Sequence, residues 1–171
     1  MAGNLPSLSN LTSTEINLAK NFSYGIVASL WNQTITDQLV NGALEILSSC
    51  HVPSEAIFIE KVPGSFELPL AAQWLLKTKK PDALICLGCI IKGETKHDEF
   101  IAQAITDGIM QLNLRFDKPV IMGVLTVNTI QQAAERSGGK LGNKGAESIL
   151  AAIKMLSLQY RLNAVDQSEK Q

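Results

Sequence analysis

Ala83-Leu84-Ile85-Cys86-Leu87 run together without one polar side chain. A strand with one face in water alternates apolar and polar residues, whereas an unbroken apolar run is what a strand covered on both faces of a parallel sheet presents. Such a strand obliges the chain to lay helices above and below it. The remaining sequence offers them, in alternation with further strands.

Phe22 to Leu30 reads as the first strand, with Tyr24, Ile26 and Ala28 alternating against Ser23, Gly25 and Val27. Thr34 or Thr36 can cap a helix running to about Cys50, in which Leu39, Ala43, Leu44, Ile46 and Leu47 recur at helical spacing. Pro53 ends that excursion. Ala56 to Val62 makes a second strand, Pro63-Gly64 a turn, and Leu68 to Lys79 a second helix with Pro69 in its first turn. The helix after the third strand carries Phe100, Ile101, Ala104, Ile105, Gly108, Ile109 and Leu112 on one broad face, where Gly108 signals close packing. Pro119 opens a fourth strand, Val120-Ile121-Met122-Gly123-Val124-Leu125. Thr129 with Gln132 resembles a capping box, and the helix it starts stops at Gly138-Gly139. A last helix from about Asn143 to Leu162 repeats Ile149, Ile153, Leu156 and Tyr160 before fading into a polar tail. These alternations, with short connections, predict an α/β fold: a four-stranded parallel sheet wrapped on both faces by helices through right-handed crossovers. With 171 residues, 46% of them hydrophobic, and neither repeat nor low-complexity linker, the chain is expected to build one domain.

A formal net charge of -1 leaves no excess of Lys and Arg for general nucleic-acid binding, and aromatic residues at 5% supply few stacking platforms for single strands. The first 21 residues, rich in Ser, Asn and Thr, lack the basic start and apolar run of a signal peptide. No segment approaches the roughly 18 consecutive apolar residues of a membrane span. A cytoplasmic protein is therefore expected, with no membrane partner, and the Asn-x-Ser/Thr matches at Asn10, Asn21 and Asn32 carry no meaning there. Cys50, Cys86 and Cys89 are an odd number for a disulfide framework. Cys86 and Cys89 form a C-x-x-C, but inside a strand pattern rather than at a helix start, so they read as small buried thiols. One nearby histidine with two cysteines lacks the paired ligand spacing of a zinc site, and no metal is expected.

In parallel sheets wrapped by helices, ligands bind beyond the carboxyl ends of the strands. Trp31-Asn32, Gly64-Ser65-Phe66-Glu67, Cys89 through His97, and Val127-Asn128 all fall at such ends. In Gly88-Cys89-Ile90-Ile91-Lys92-Gly93-Glu94-Thr95-Lys96-His97, Gly93 permits a sharp turn and Thr95 can cap the next helix, whose free N–H groups seat an anion. His97 can exchange protons near neutral pH; it is either a satisfied helix-start residue or, given its place beside an anion seat, a general acid/base. Trp31 suits stacking on a planar substrate or plain packing. Arg136 is stabilised by the end of its helix alone, yet its fork suits a phosphate; Lys140 and Lys144 flank the glycine-rich bend and are solvating by default.

Pro63-Gly64-Ser65-Phe66-Glu67-Leu68-Pro69, Gly88 through His97, Gly123-Val124-Leu125-Thr126 and Arg136-Ser137-Gly138-Gly139-Lys140-Leu141-Gly142-Asn143-Lys144-Gly145 resemble the successive signatures of the 6,7-dimethyl-8-ribityllumazine synthase family, in order and spacing across roughly residues 22 to 160. The resemblance implies a flavodoxin-like three-layer sandwich over 22–162. It also implies the penultimate step of riboflavin synthesis, joining 5-amino-6-(D-ribitylamino)uracil to 3,4-dihydroxy-2-butanone 4-phosphate without a cofactor. His97 matches the proton-transfer histidine. Trp31, Ser65, Phe66, Glu67, Cys89, Ile90, Ile91 and Met122 match the pyrimidine and ribityl site, and Glu94, Thr95 and Arg136 the phosphate site. The partners implied are two small-molecule substrates and copies of the chain itself: a homopentamer with active sites between subunits. The bend from Gly138 to Asn143 is similar to that of members that build a 60-subunit icosahedral cage.

Residues 1–21 are then expected to lie on a neighbouring subunit, and 163–171 to form a polar tail. Three departures from the family pattern stand out. Met122 replaces a common Phe, Asp98 follows the histidine where an aromatic is usual, and Ala146 stands where a large ring often packs.

Overall fold

The computed structural model describes residues 8–168. β1 (Tyr24–Ser29), β2 (Ile57–Val62), β3 (Ala83–Ile91) and β4 (Val120–Val127) form one sheet in the order β2-β1-β3-β4, every pairing parallel. The connections are α2 (Gln33–Ser49), α3 (Leu68–Thr78) and α4 (His97–Phe116). After β4 come α5 (Ile130–Arg136), a small antiparallel pair of β5 (Ser137–Gly139) and β6 (Gly142–Asn143), and α6 (Lys144–Ser168). The α/β sandwich is the architecture that the apolar run at Ala83 demanded.

The period of two in β3 builds both cores. Ala83, Ile85, Leu87 and Cys89 pack on one face with Leu39, Ala43 and Leu47 of α2 and Ile149, Ile153 and Leu156 of α6. Leu84 and Cys86 pack on the other with Leu68, Ala72, Leu75 and Leu76 of α3 and Ile105, Ile109 and Leu112 of α4. β1 divides likewise, Tyr24, Ile26 and Ala28 against Val27. Removing any one of these large side chains to Ala would cost roughly 2–5 kcal/mol, which is why the scaffold under the strand ends is stiff. Gly108 does mark a close approach: a Cβ there would lie 3.0 Å from Pro69 Cβ, so α3 and α4 touch nearly backbone to ring.

Several boundaries differ from the sequence expectation. β3 continues through Gly88, Cys89, Ile90 and Ile91, because β4 keeps pairing it as far as Ile91↔Val127. Neither Thr34 nor Thr36 caps α2. Asn32 stands at that position, and the Thr36 hydroxyl donates to the Ser29 carbonyl at 2.7 Å. The residue ahead of α4 is Lys96 rather than Thr95, whose hydroxyl accepts from the His97 N–H at 3.4 Å. Thr129 caps α5 as expected, but the Gln132 side chain reaches back to the Asn128 N–H, at 2.8 Å.

The polar tail expected from residue 163 is helical to Ser168; residues 169–171 lie outside the described residues. Ahead of Phe22, α1 (Ser13–Ala19) begins in a complete capping box between Thr12 and Glu15 and packs on α6 of its own chain. Leu11 and Ala19 enter the core there, and the buried Tyr24 hydroxyl donates to the Ala19 carbonyl at 3.1 Å. Of the segment expected on a neighbouring subunit, residues 1–7 lie outside the described residues. Among those described, no helix is long and apolar enough to cross a membrane.

All three cysteines are free and buried. Cys86 and Cys89 sit on opposite faces of β3, and three residues of strand separate their Cα atoms by about 10 Å. A disulfide spans at most about 7 Å, so the C-x-x-C cannot close without unravelling the strand. Burial pushes the Cys86 thiol up to about 12 and that of Cys89 up to about 11, and raises Cys50 as well. Raised values keep these thiols neutral, leaving only about one part in a thousand of Cys89 as thiolate at pH 8. Iodoacetamide at pH 8 is therefore expected to leave all three unmodified in the native protein and to label all three in urea. Mass spectrometry reads the outcome, and rapid labelling of the native chain would contradict it.

Candidate active site

A cavity of about 970 Å³ opens above the sheet where the strand order reverses, between the ends of β1 and β3. Four segments line it. The first is Trp31-Asn32, where the chain leaves β1; the Trp31 N–H donates to the Pro63 carbonyl at 3.1 Å, and the indole is 73% exposed.

The second segment is the single helical turn Ser65–Glu67 that precedes α3. The Gly64 N–H donates to Glu67 Oε2 at 2.9 Å, which holds the carboxylate at the cavity wall with its other oxygen unbonded by any described residue. Ser65 is buried in the angle between this turn and β3. Its Oγ lies where a Cβ on Gly88 would intrude, at 2.6 Å, so glycine at 88 is what lets the turn close on the strand. Phe66 is exposed towards the opening.

The end of β3 makes the third wall. Pairing with β1 stops at Ala28↔Leu87, while pairing with β4 runs on to Ile91↔Val127, so one edge of Gly88–Ile91 is left without a strand. On that edge the Cys89 carbonyl accepts from Asn32 Nδ2 at 3.0 Å. The Lys92 N–H turns the other way, to Val127, so Ile91 directs its own N–H and carbonyl to the open edge. A planar ligand lying against Trp31 would find there an adjacent donor and acceptor.

The fourth wall is the start of α4 with the loop before it. Gly93, Thr95, His97 and Asp98 line the cavity, and Phe100, Ile101 and Ala104 continue the wall along the helix. Spacings of three, four and seven residues from His97 set these on one stripe. In the sequence these three belong to the broad apolar face of the helix, and their helical phase with His97 is the signal that they face the cavity.

The expected site residues therefore divide. Trp31, Ser65, Phe66, Glu67, Cys89, Ile90, Ile91, Thr95 and His97 all border one cavity. Glu94 stays on the exposed loop beside it. Met122 does not reach it: paired with Cys86, it lies well below the strand ends on the α4 side, where Sδ accepts from the Thr106 hydroxyl at 3.3 Å. Nor do Val127 and Asn128, since Val127 packs into the α2–α6 face.

Arg136 also stands away from the cavity of its own chain. Its guanidinium donates to the Leu141 carbonyl at 2.8 Å and pairs with Glu147 at 2.9 Å, and Glu147 holds Lys144 as well, at 3.1 Å. Among the described residues, the cavity is thus bordered by the carboxylates of Glu67 and Asp98 and by no Lys or Arg. Among the described residues, no group of three or more His, Cys, Asp or Glu is placed to hold a metal ion.

The arrangement offers an aromatic platform, a hydrogen-bonding strand edge, a carboxylate for hydroxyl groups and an imidazole in one water-accessible pocket. Residues 21–160 match the family model described as 6,7-dimethyl-8-ribityllumazine synthase. A Flavobacterium johnsoniae protein of that name is 50% identical over 161 residues, covering 94% of this chain and 85% of the relative. Namesakes from Cytophaga hutchinsonii and Flavobacterium psychrophilum are 52% and 47% identical, over 78% and 96% of this chain and 84% and 87% of their own. With a match of that extent over the segments that build the cavity, the chain belongs to the 6,7-dimethyl-8-ribityllumazine synthase family.

Proposed function

We propose that this chain condenses 5-amino-6-(D-ribitylamino)uracil with 3,4-dihydroxy-2-butanone 4-phosphate, releasing 6,7-dimethyl-8-ribityllumazine, inorganic phosphate and two molecules of water. The carrying observation is the meeting of Trp31, the open edge of β3 and His97 at one cavity. The pyrimidine stacks on Trp31 with its polar edge against Ile91, and Phe66 and Ile90 flank it. The unbonded oxygen of Glu67 accepts from the ribityl hydroxyls. Two reactants held in one geometry react as if at very high local concentration, and this positioning is the main source of rate.

The amine of the pyrimidine attacks the ketone, and loss of water gives the imine. A proton leaves the carbon chain as phosphate departs, and attack of the ribitylamino nitrogen with loss of the second water closes the ring. His97 carries protons between these steps. Phosphate sits at the start of α4, against the backbone beside Glu94 and Thr95. A dianion there lacks a cationic partner within the chain's own cavity, because no Lys or Arg among the described residues borders it. Arg136 of a neighbouring subunit supplies that charge, and Met122 of the same neighbour closes the pyrimidine side.

The assembly is a homopentamer with five such sites between subunits, and the bend between β5 and β6 suits further association into a cage. Of the N-terminal segment, α1 lies at that seam, with its inner side on α6 of its own chain. The enzyme works in the cytoplasm, whose reducing conditions suit three free thiols.

Mixing the purified protein with both substrates, without metal or nucleotide, and following lumazine fluorescence with phosphate release tests the reading. No product above the spontaneous rate overturns it in favour of a silent binder or shell. His97→Ala is expected to lower kcat by roughly 10²–10⁴-fold at most, since general acid/base help is of that size and positioning survives. Arg136→Ala is expected to raise KM for the butanone phosphate by about tenfold or more, the size of a lost charge-assisted bond, with pyrimidine binding little changed. Equal losses for the two substrates would remove Arg136 from the phosphate site.

A further inference from the structure

Asn32 is left-handed, with φ 58° and ψ 44°, at the cap position just before α2, yet its side chain caps none of that helix's free N–H groups. A side chain at a helix start ordinarily accepts from the amides of the first turn. Here the amide nitrogen points across the sheet instead and donates to the carbonyl of Cys89, fifty-seven residues on, at 3.0 Å. The reason lies in the backbone around it. A continued ladder would offer the Trp31 N–H to that carbonyl, but this N–H is diverted to Pro63, at 3.1 Å. Asn32 takes the place of the missing rung.

We infer that Asn32 is a positioning residue for the pyrimidine: its amide ties the segment bearing Trp31 to the overhanging end of β3, and so sets the spacing between the stacking ring and the strand edge that Ile91 presents. The inference rests on the proposed condensation but goes beyond it, since it assigns a role in orientation to a residue that acts through Cys89. Without the tie, each wall of the slot remains but their separation is no longer held. The loss should fall on the planar substrate and spare the phosphate-bearing one, whose seat at the start of α4 does not involve this bond.

Two variants keep the left-handed backbone accessible, because glycine and aspartate both tolerate it. Asn32→Gly removes the amide alone. Asn32→Asp removes the donor while improving the helix start, since a carboxylate there suits the free N–H groups and the helix dipole. If Asn32 served only as the cap residue of α2, Asp would equal or exceed the native residue. We expect both variants to raise the pyrimidine KM, and the dissociation constant of the fluorescent lumazine, by about tenfold, the size of one lost hydrogen bond at its upper range. KM for the butanone phosphate and the thermal midpoint should stay near the native values.

In a Trp31→Ala background the effect of Asn32→Gly should shrink, since two residues acting as one slot are not additive. An unchanged pyrimidine KM in Asn32→Asp, equal rises for both substrates, or full additivity with Trp31→Ala would overturn the inference while leaving the condensation standing. A native protein that forms no lumazine overturns the condensation, and this inference with it.

Discussion

β3 outruns β1 by four residues while β4 pairs it to the end, and the site depends on that overhang. A strand edge left unpaired normally invites another strand or water. Here it is part of a cavity wall. The Cys89 carbonyl is satisfied by a side chain, and the next pair of backbone groups, those of Ile91, stays open towards the cavity. The overhang holds its shape because Ala83 to Leu87 beneath it are fully buried between two layers of helices.

Around this edge the scaffold contributes by closeness rather than by chemistry. Gly88 admits the Ser65 turn, which carries Phe66 and Glu67 to the wall, and Gly108 admits α3 against α4, the helix whose first residue is His97. The ionic partners inside one chain are arranged differently. Glu147 satisfies Arg136 and Lys144 away from the cavity, so these two cations do not reach it within the chain.

Much of the fold was legible because its signals are local. The unbroken apolar run required a strand covered twice, and the periodicities of α2, α3, α4 and α6 followed from residues three and four apart. The boundaries were less legible. The unbroken apolar run stops at Leu87, and only pairing with β4 carries the strand on to Ile91. Thr36 looked like a cap because its hydroxyl suits one, yet the Ser29 carbonyl, brought near by the turn after β1, takes that hydroxyl instead.

For the site the division is similar and has one physical cause. Residue types and chain order determined that a parallel sheet would form, that strand ends would gather Trp31, Glu67, Cys89 and His97, and that Cys86 and Cys89 would be packing residues, since each follows from the geometry of a few consecutive peptides. Only the tertiary structure decided that Asn32 reaches Cys89, that Phe100, Ile101 and Ala104 wall the same cavity, and that Met122 and Arg136 stand outside it. Those outcomes depend on how far each strand runs past its neighbour, and strand length is set by pairing between segments distant in the chain.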